Sequence, residues 1–142
     1  MNDGTGEVVP MIGYQDGPRA MDWLASAFGF HETTRWLDDD GVLTHGEMST
    51  GLGRIMLATP TPDYESPRTH RSHCDRAEAW SSSPWVIDGV LVHVADVESH
   101  HQQAQDAGAT MLSGIEDGPG GGRLYRVEDP EGHRWMFLQP GS

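Results

Sequence analysis

The chain carries one arrangement twice. Residues 8–15 form an apolar stretch that ends at Asp16, after which Ala20, Met21, Trp23, Leu24, Ala27 and Phe28 recur at helical spacing as far as Gly29. Residues 85–95 form a second such stretch, and Asp96 opens a segment whose inner face carries Val97, His101, Ala104 and Ala107 before Gly108. An aspartate suits the start of each helix because its side chain accepts from a free backbone N–H, and a glycine suits each end because it tolerates the left-handed backbone. Pro18 is tolerated in the first turn. Three strand-like segments (31–37, 42–48 and 54–59) follow the first helix, separated by Asp38-Asp39-Asp40-Gly41 and Thr50-Gly51-Leu52-Gly53. After the second helix come a strand near 110–115 and a hairpin, 124–128 and 133–138, turned by Asp129-Pro130-Glu131-Gly132. The expected order is therefore β-α-β-β-β, repeated.

The repeat divides the chain into a first module over 8–60, a connection over 61–84 rich in proline, charge and serine, and a second module over 85–140, all within one domain of 142 residues. The net charge of −13, with only 9 lysines plus arginines, excludes the basic footprint of a nucleic-acid binder. Residues 1–7 lack a basic and apolar leader, and no run is long enough to span a bilayer, so a cytoplasmic location without membrane contact is expected. The single cysteine, Cys74, agrees with a reducing compartment.

Two β-α-β-β-β modules, each opened by strand, Asp, helix and Gly, together with the closing Asp-Pro-Glu-Gly hairpin, resemble the vicinal oxygen chelate superfamily of glyoxalases, bleomycin-resistance proteins and dioxygenases. Met21-Asp22-Trp23, Ala27-Phe28-Gly29-Phe30, His45-Gly46-Glu47 and the ending Asp129–Phe137 are most similar to the small bacterial glyoxalase/bleomycin-resistance type. The resemblance implies an α+β fold whose modules curl into cup-shaped half-barrels, and a homodimer with sites between paired modules. It also implies four metal-ligand positions, one on the first and one on the last strand of each module. These fall on Val9, Met56, Gly89 and Met136 in this sequence. Valine and glycine side chains offer no donor atom and thioethers favour soft ions, so no metal and no other cofactor is expected.

Strand alternation places Val9, Met11 and Gly13, Met56 and Ala58, Gly89, Leu91 and His93, and Arg134, Met136 and Leu138 on one cup surface, with Trp135 and Phe137 turned towards a helix. The expected ligand contacts are Met11, Met56, Leu91, His93, Arg134 and Met136, with Trp85 at the mouth. Such a surface, mostly apolar with a few polar groups, suits a small-molecule ligand; Arg134 would meet an anionic or carbonyl oxygen and His93 would hydrogen-bond. The alternative is a filled core. His45 and Glu47 share a strand face and are the candidate catalytic pair, for acid/base chemistry or, with His93, for a displaced metal site in a lyase, isomerase or dioxygenase. Trp23 and Trp135 are expected in the core, His101 at the boundary of the second helix and His100 in solvent, while 118–122 reads as a flexible connection over the cup.

Overall fold

The computed structural model describes residues 4, 6–83 and 88–142. Strand β1 (Met11–Gly13), helix α1 (Gly17–Phe28) and strands β2 (His31–Leu37), β3 (Leu43–Ser49) and β4 (Arg54–Ala58) form the first half. Helices α2 (Pro67–Ser72) and α3 (Asp75–Trp80) lie in the connection. The second half contains β5 (Gly89–His93), α4 (Val97–Asp106), β6 (Thr110–Met111), β7 (Glu116–Asp117), β8 (Arg123–Glu128) and β9 (Arg134–Gln139). One sheet runs β1-β4-β3-β2; the other runs β5-β9-β8-β6, with β7 also on β8. In each, the strand before the helix lies parallel to the last strand, Met11 opposite Met56 and Leu91 opposite Met136.

Local chemistry sets the helix limits. The carboxylates of Asp16 and Asp96 accept from the backbone N–H of Arg19 and Ser99, both at 3.1 Å. Gly29 and Gly108 take φ of 75° and 87°, the left-handed region that favours glycine. Helix α1 lies close on β3 because β3 carries Gly46, where a Cβ would come within 2.8 Å of the Met21 sulfur. The inner faces of both sheets and both long helices merge into one core that contains Met21, Leu24, Phe28, Met48, Leu57, Val97, Tyr125, Trp135 and Phe137.

Some elements differ from the sequence reading. The first and fifth strands are shorter than 8–15 and 85–95, and Trp85 lies outside the described residues. The strand near 110–115 is two short pieces, since the N–H groups of Leu112 and Ser113 both turn to the Arg126 carbonyl and the Ser113 hydroxyl accepts from the Arg126 N–H. The connection carries two short helices, α2 and α3, that the sequence reading did not assign. Both histidines of α4 are half-buried: His101 sits at the helix boundary as expected, edge-on to Tyr125 at 4.9 Å, whereas His100 is not in solvent. The His100 Nδ1 lies 2.7 Å from the Tyr125 hydroxyl and its Nε2 2.9 Å from the Phe28 carbonyl, with its ring against Phe137. Burial holds its imidazole below the usual histidine range. Residues 118–122 make a short 3-10 turn at Pro119–Gly121, closed by Gly118 N–H to the Gly122 carbonyl at 2.7 Å.

The tip of the last hairpin grips the first half of the chain. Asp129, 1% exposed, accepts from the Tyr14 hydroxyl at 2.6 Å and the Trp135 indole at 3.2 Å, as well as from the N–H groups of Glu131 and His133. Glu131 receives the N–H groups of Gln15 and Asp16 at 2.6 and 3.0 Å, and His133 lies 2.6 Å from the Gly13 carbonyl. Asp129→Ala strands several donors away from water, and its expected cost is about 3 kcal/mol or more in urea unfolding. Glu131→Gln keeps only one of the two acceptors that Gln15 and Asp16 use and should cost about 1–2 kcal/mol by the same measurement, less than Asp129→Ala.

Candidate functional site

In each sheet one side packs on a helix and the other stays open. Burial alternates accordingly: Ile55 and Leu57 are buried on β4 while Met56 is half-buried, and Val92 is buried on β5 while Leu91 and His93 are exposed. The open side of the first sheet aligns Met11, Met56, Glu47 and Thr34 across its strands, with Trp36 and His45 one step along beside Ala58. Met11 is 81% exposed and Trp36 63%. The open side of the second sheet aligns Leu91, Met136 and Arg126, flanked by Gly89, Arg134 and Glu128 on one side and by His93, Leu138 and Leu124 on the other. The structure thus brings Met11 to Met56 and Leu91 to Met136, and puts His93 beside Leu138.

His45 and Glu47 do touch, Nε2 to Oε2 at 3.0 Å, with the Trp36 ring packed on His45 at a centroid distance of 5.1 Å. The other Glu47 oxygen receives Arg54 at 2.7 Å, and Arg54 in turn meets Glu7 at 2.9 Å. The hydrogen bond from His45, with Arg54 behind it, holds the Glu47 carboxyl below the usual carboxylate range. Both oxygens are engaged and the anion is stabilised, which makes it a weak proton acceptor at neutral pH. His93 stands on the other sheet, and among the described residues no three histidine, cysteine or acidic side chains are grouped to hold a metal. The four positions that the resemblance implies for metal ligands do not fit a hard or borderline ion: Val9 and Gly89 carry no donor atom, and Met56 and Met136 carry thioethers, Met56 opposite Met11 and Met136 opposite Leu91.

The connection between the two halves forms one wall of the site. Tyr64 lies over Gly13, whose Cβ would be 3.2 Å from the phenol ring, and its hydroxyl donates to the Gly13 carbonyl at 3.1 Å. At the second sheet, Arg134 is 4% exposed and its guanidinium is fully occupied inside the chain. It donates to Glu128 at 3.0 Å and to the carbonyls of Ser83 and Ser81 at 2.7 Å each. The oxygens it was expected to meet on a ligand are therefore supplied by Glu128 and the connection. Sequence reasoning also left out Trp36, Arg126 and Glu128, although strand parity alone puts all three on the open sides. Arg126 pairs with Glu116.

Glu128, 1% exposed, is the hub of this wall, holding Arg134 and a bidentate Arg71 at 2.8 and 2.9 Å. Burial pushes its carboxyl up, but Arg71 and Arg134 outweigh that and hold it below the usual range. A depressed pKa contributes stability above the unfolded value of about 4.3 and loses it as pH falls through the lower folded value. Glu128→Gln leaves buried guanidinium groups without their counter-charge, at an expected cost of about 3–5 kcal/mol. Hydrogen exchange should find the amides of α2 losing protection in this variant at neutral pH, and in the wild type only below about pH 4.

Comparison with known proteins places this architecture. Residues 8–137 match the family model described as Glyoxalase/Bleomycin resistance protein/Dioxygenase superfamily. The crystal structure of TioX from Micromonospora sp. ML1 is 30% identical, with a TM-score of 0.69 over 96% of this chain and 98% of that one. TnmS3, an antibiotic binding protein from Streptomyces sp. CB03234, is 17% identical, with a TM-score of 0.68 over 99% and 100%. The bleomycin-binding protein of Streptomyces verticillus, solved with copper(II)-bleomycin, is 18% identical, with a TM-score of 0.60 over 98% of each chain. With the same paired modules, and with the family model covering nearly its whole length, this chain belongs to the glyoxalase/bleomycin resistance protein/dioxygenase superfamily.

Proposed function

We propose that this protein binds a small, largely apolar or aromatic molecule of the antibiotic class without a metal, as a homodimer whose paired cups enclose the ligand. The observation that carries this reading is the exposure of Met11, Trp36 and Leu91 at 81, 63 and 50% on the open sides of the two sheets. Large apolar side chains left in solvent on the side of each sheet that no helix covers mark a place where something else can bind. Methionine is flexible and polarisable, and an exposed indole offers a flat face for stacking, so the surface adapts to ring systems. Two relatives of the same fold, TnmS3 and the bleomycin-binding protein, are antibiotic binders by description, which supports the ligand class. A second copy would supply the missing wall, since each open side is a shallow half-cup. The charge of −13 favours a neutral or cationic ligand. His45, Glu47 and Arg54 would line one rim and supply polar contacts, and the engaged state of Glu47 argues for holding a ligand over transforming it.

The test is tryptophan-fluorescence titration with bleomycin and with a planar polycyclic antibiotic, using the wild type and the Met56→Asp and Met136→Asp variants. At least one ligand should bind the wild type with a Kd of about 10 μM or tighter, and each variant should lose about tenfold, roughly 1.4 kcal/mol. Failure of both ligands at any attainable concentration, or binding untouched by both substitutions, would overturn the proposal. Light scattering at about 20 μM protein should give twice the chain mass; because Met11 is so exposed, Met11→Asp should shift the dimer towards monomer while leaving the monomer's stability within about 0.5 kcal/mol.

A further inference from the structure

Where the connection walls off one end of the second cup, three of the chain's nine basic residues gather, and the geometry points to a site for a small oxyanion, a carboxylate or phosphate group, at Arg68. Arg68, Arg71 and Arg134 surround Glu128 at the edge of an open groove of ≈ 600 Å³ lined also by Ser72, Glu78, Ser81 and Thr110. Counting the charged groups of this lining, three cations face the two anions Glu128 and Glu78. The local excess is therefore positive, in a chain whose net charge is −13.

The three arginines are not equivalent. Arg71 grips both oxygens of Glu128, and Arg134 spends its donors on Glu128 and two carbonyls. Arg68 is left over. Its Nη2 alone is shared among Thr110 Oγ1, Glu128 Oε1 and the Asp129 carbonyl at 3.1, 3.3 and 3.4 Å. These are long for charge-assisted hydrogen bonds, which run at about 2.7–2.9 Å. Its Nε is buried and has no hydrogen-bond partner among the described residues. A buried donor without an acceptor is destabilising, and an anion presented to the guanidinium would supply the missing acceptor.

The backbone of Arg68 is fixed, and its side chain is held, among the described residues, only by the long Nη2 contacts. Its N–H donates to the Glu131 carbonyl at 3.0 Å, and Gly132 lies so close that a Cβ there would stand 2.7 Å from the Arg68 nitrogen. The side chain is 41% exposed, so the guanidinium can turn outwards and offer Nε and an Nη as a parallel pair, the fork that matches a carboxylate or phosphate edge. Arg71 would remain on Glu128 and keep α2 in place while Arg68 exchanges its weak contacts for the ligand.

The test uses the full chain in low-salt buffer, with inorganic phosphate and succinate as separate titrants, followed by calorimetry and by the 15N-resolved Nε–H signal of Arg68. Millimolar or tighter binding of either anion is expected, with a downfield shift of the Arg68 Nε–H. Arg68→Ala should weaken binding at least tenfold, and Arg68→Lys, which keeps the charge but not the fork, should weaken it by an intermediate factor. Arg76, exposed on α3 and outside the groove lining, is the control, and Arg76→Ala should leave binding unchanged. A thermal unfolding curve within a few degrees of wild type for Arg68→Lys separates loss of binding from loss of fold. Binding indifferent to both Arg68 variants, or no binding of either anion up to about 50 mM, would overturn the site, whatever the cups hold.

Discussion

Glu128 and Asp129 are consecutive, and because side chains of an extended segment alternate, their buried carboxylates leave the last hairpin on opposite sides. Asp129 turns into the core, where Tyr14 and Trp135 donate to it, and so fixes the first half of the chain to the second. Glu128 turns to the open side, where Arg134 and Arg71 hold it, and so fixes the connection to the second sheet. A buried anion is tolerated only with its hydrogen bonds and charges satisfied, which makes each of these contacts selective for one arrangement. The shape of the open sides depends on both: one carboxylate sets how the modules meet, the other sets which end of the cup the connection walls off.

What could be read from the sequence was the part governed by neighbours in the chain. The caps at Asp16 and Asp96, the glycines at 29 and 108 and the Asp-Pro-Glu-Gly turn are local, and strand parity correctly put Met11 with Met56 and Leu91 with Met136. The failures lie where distant partners decide. His100 and His101 flank the same helix edge, and only the Tyr125 hydroxyl and the Phe28 carbonyl, far away in the chain, draw the former inwards. Arg134 points to the open side as expected, yet its acceptors come from residues 81 and 83, in a segment whose prolines and serines suggest an irregular loop. Arg68 and Arg71 sit one helical turn apart on α2, a spacing without meaning until Glu128 is placed opposite.

The fold hosts both catalysts and binders, so function rests on the open sides themselves. Thioether, indole and aliphatic carbon make up much of them, and the charged groups among these, Glu47 and Arg126, are paired within the chain. That combination favours a ligand held by shape and dispersion over one activated by a metal or a free base.

Methyl-resolved NMR of the methionines, with bleomycin and a planar polycyclic antibiotic as titrants, tests this account most directly. The ε-methyl signals of Met11, Met56 and Met136 should move on titration, while those of Met21 and Met48, both at 0% exposure in the core, should stay in place. Shifts at the core methionines without shifts at the three open-side ones would contradict it, and would put the ligand elsewhere on the molecule.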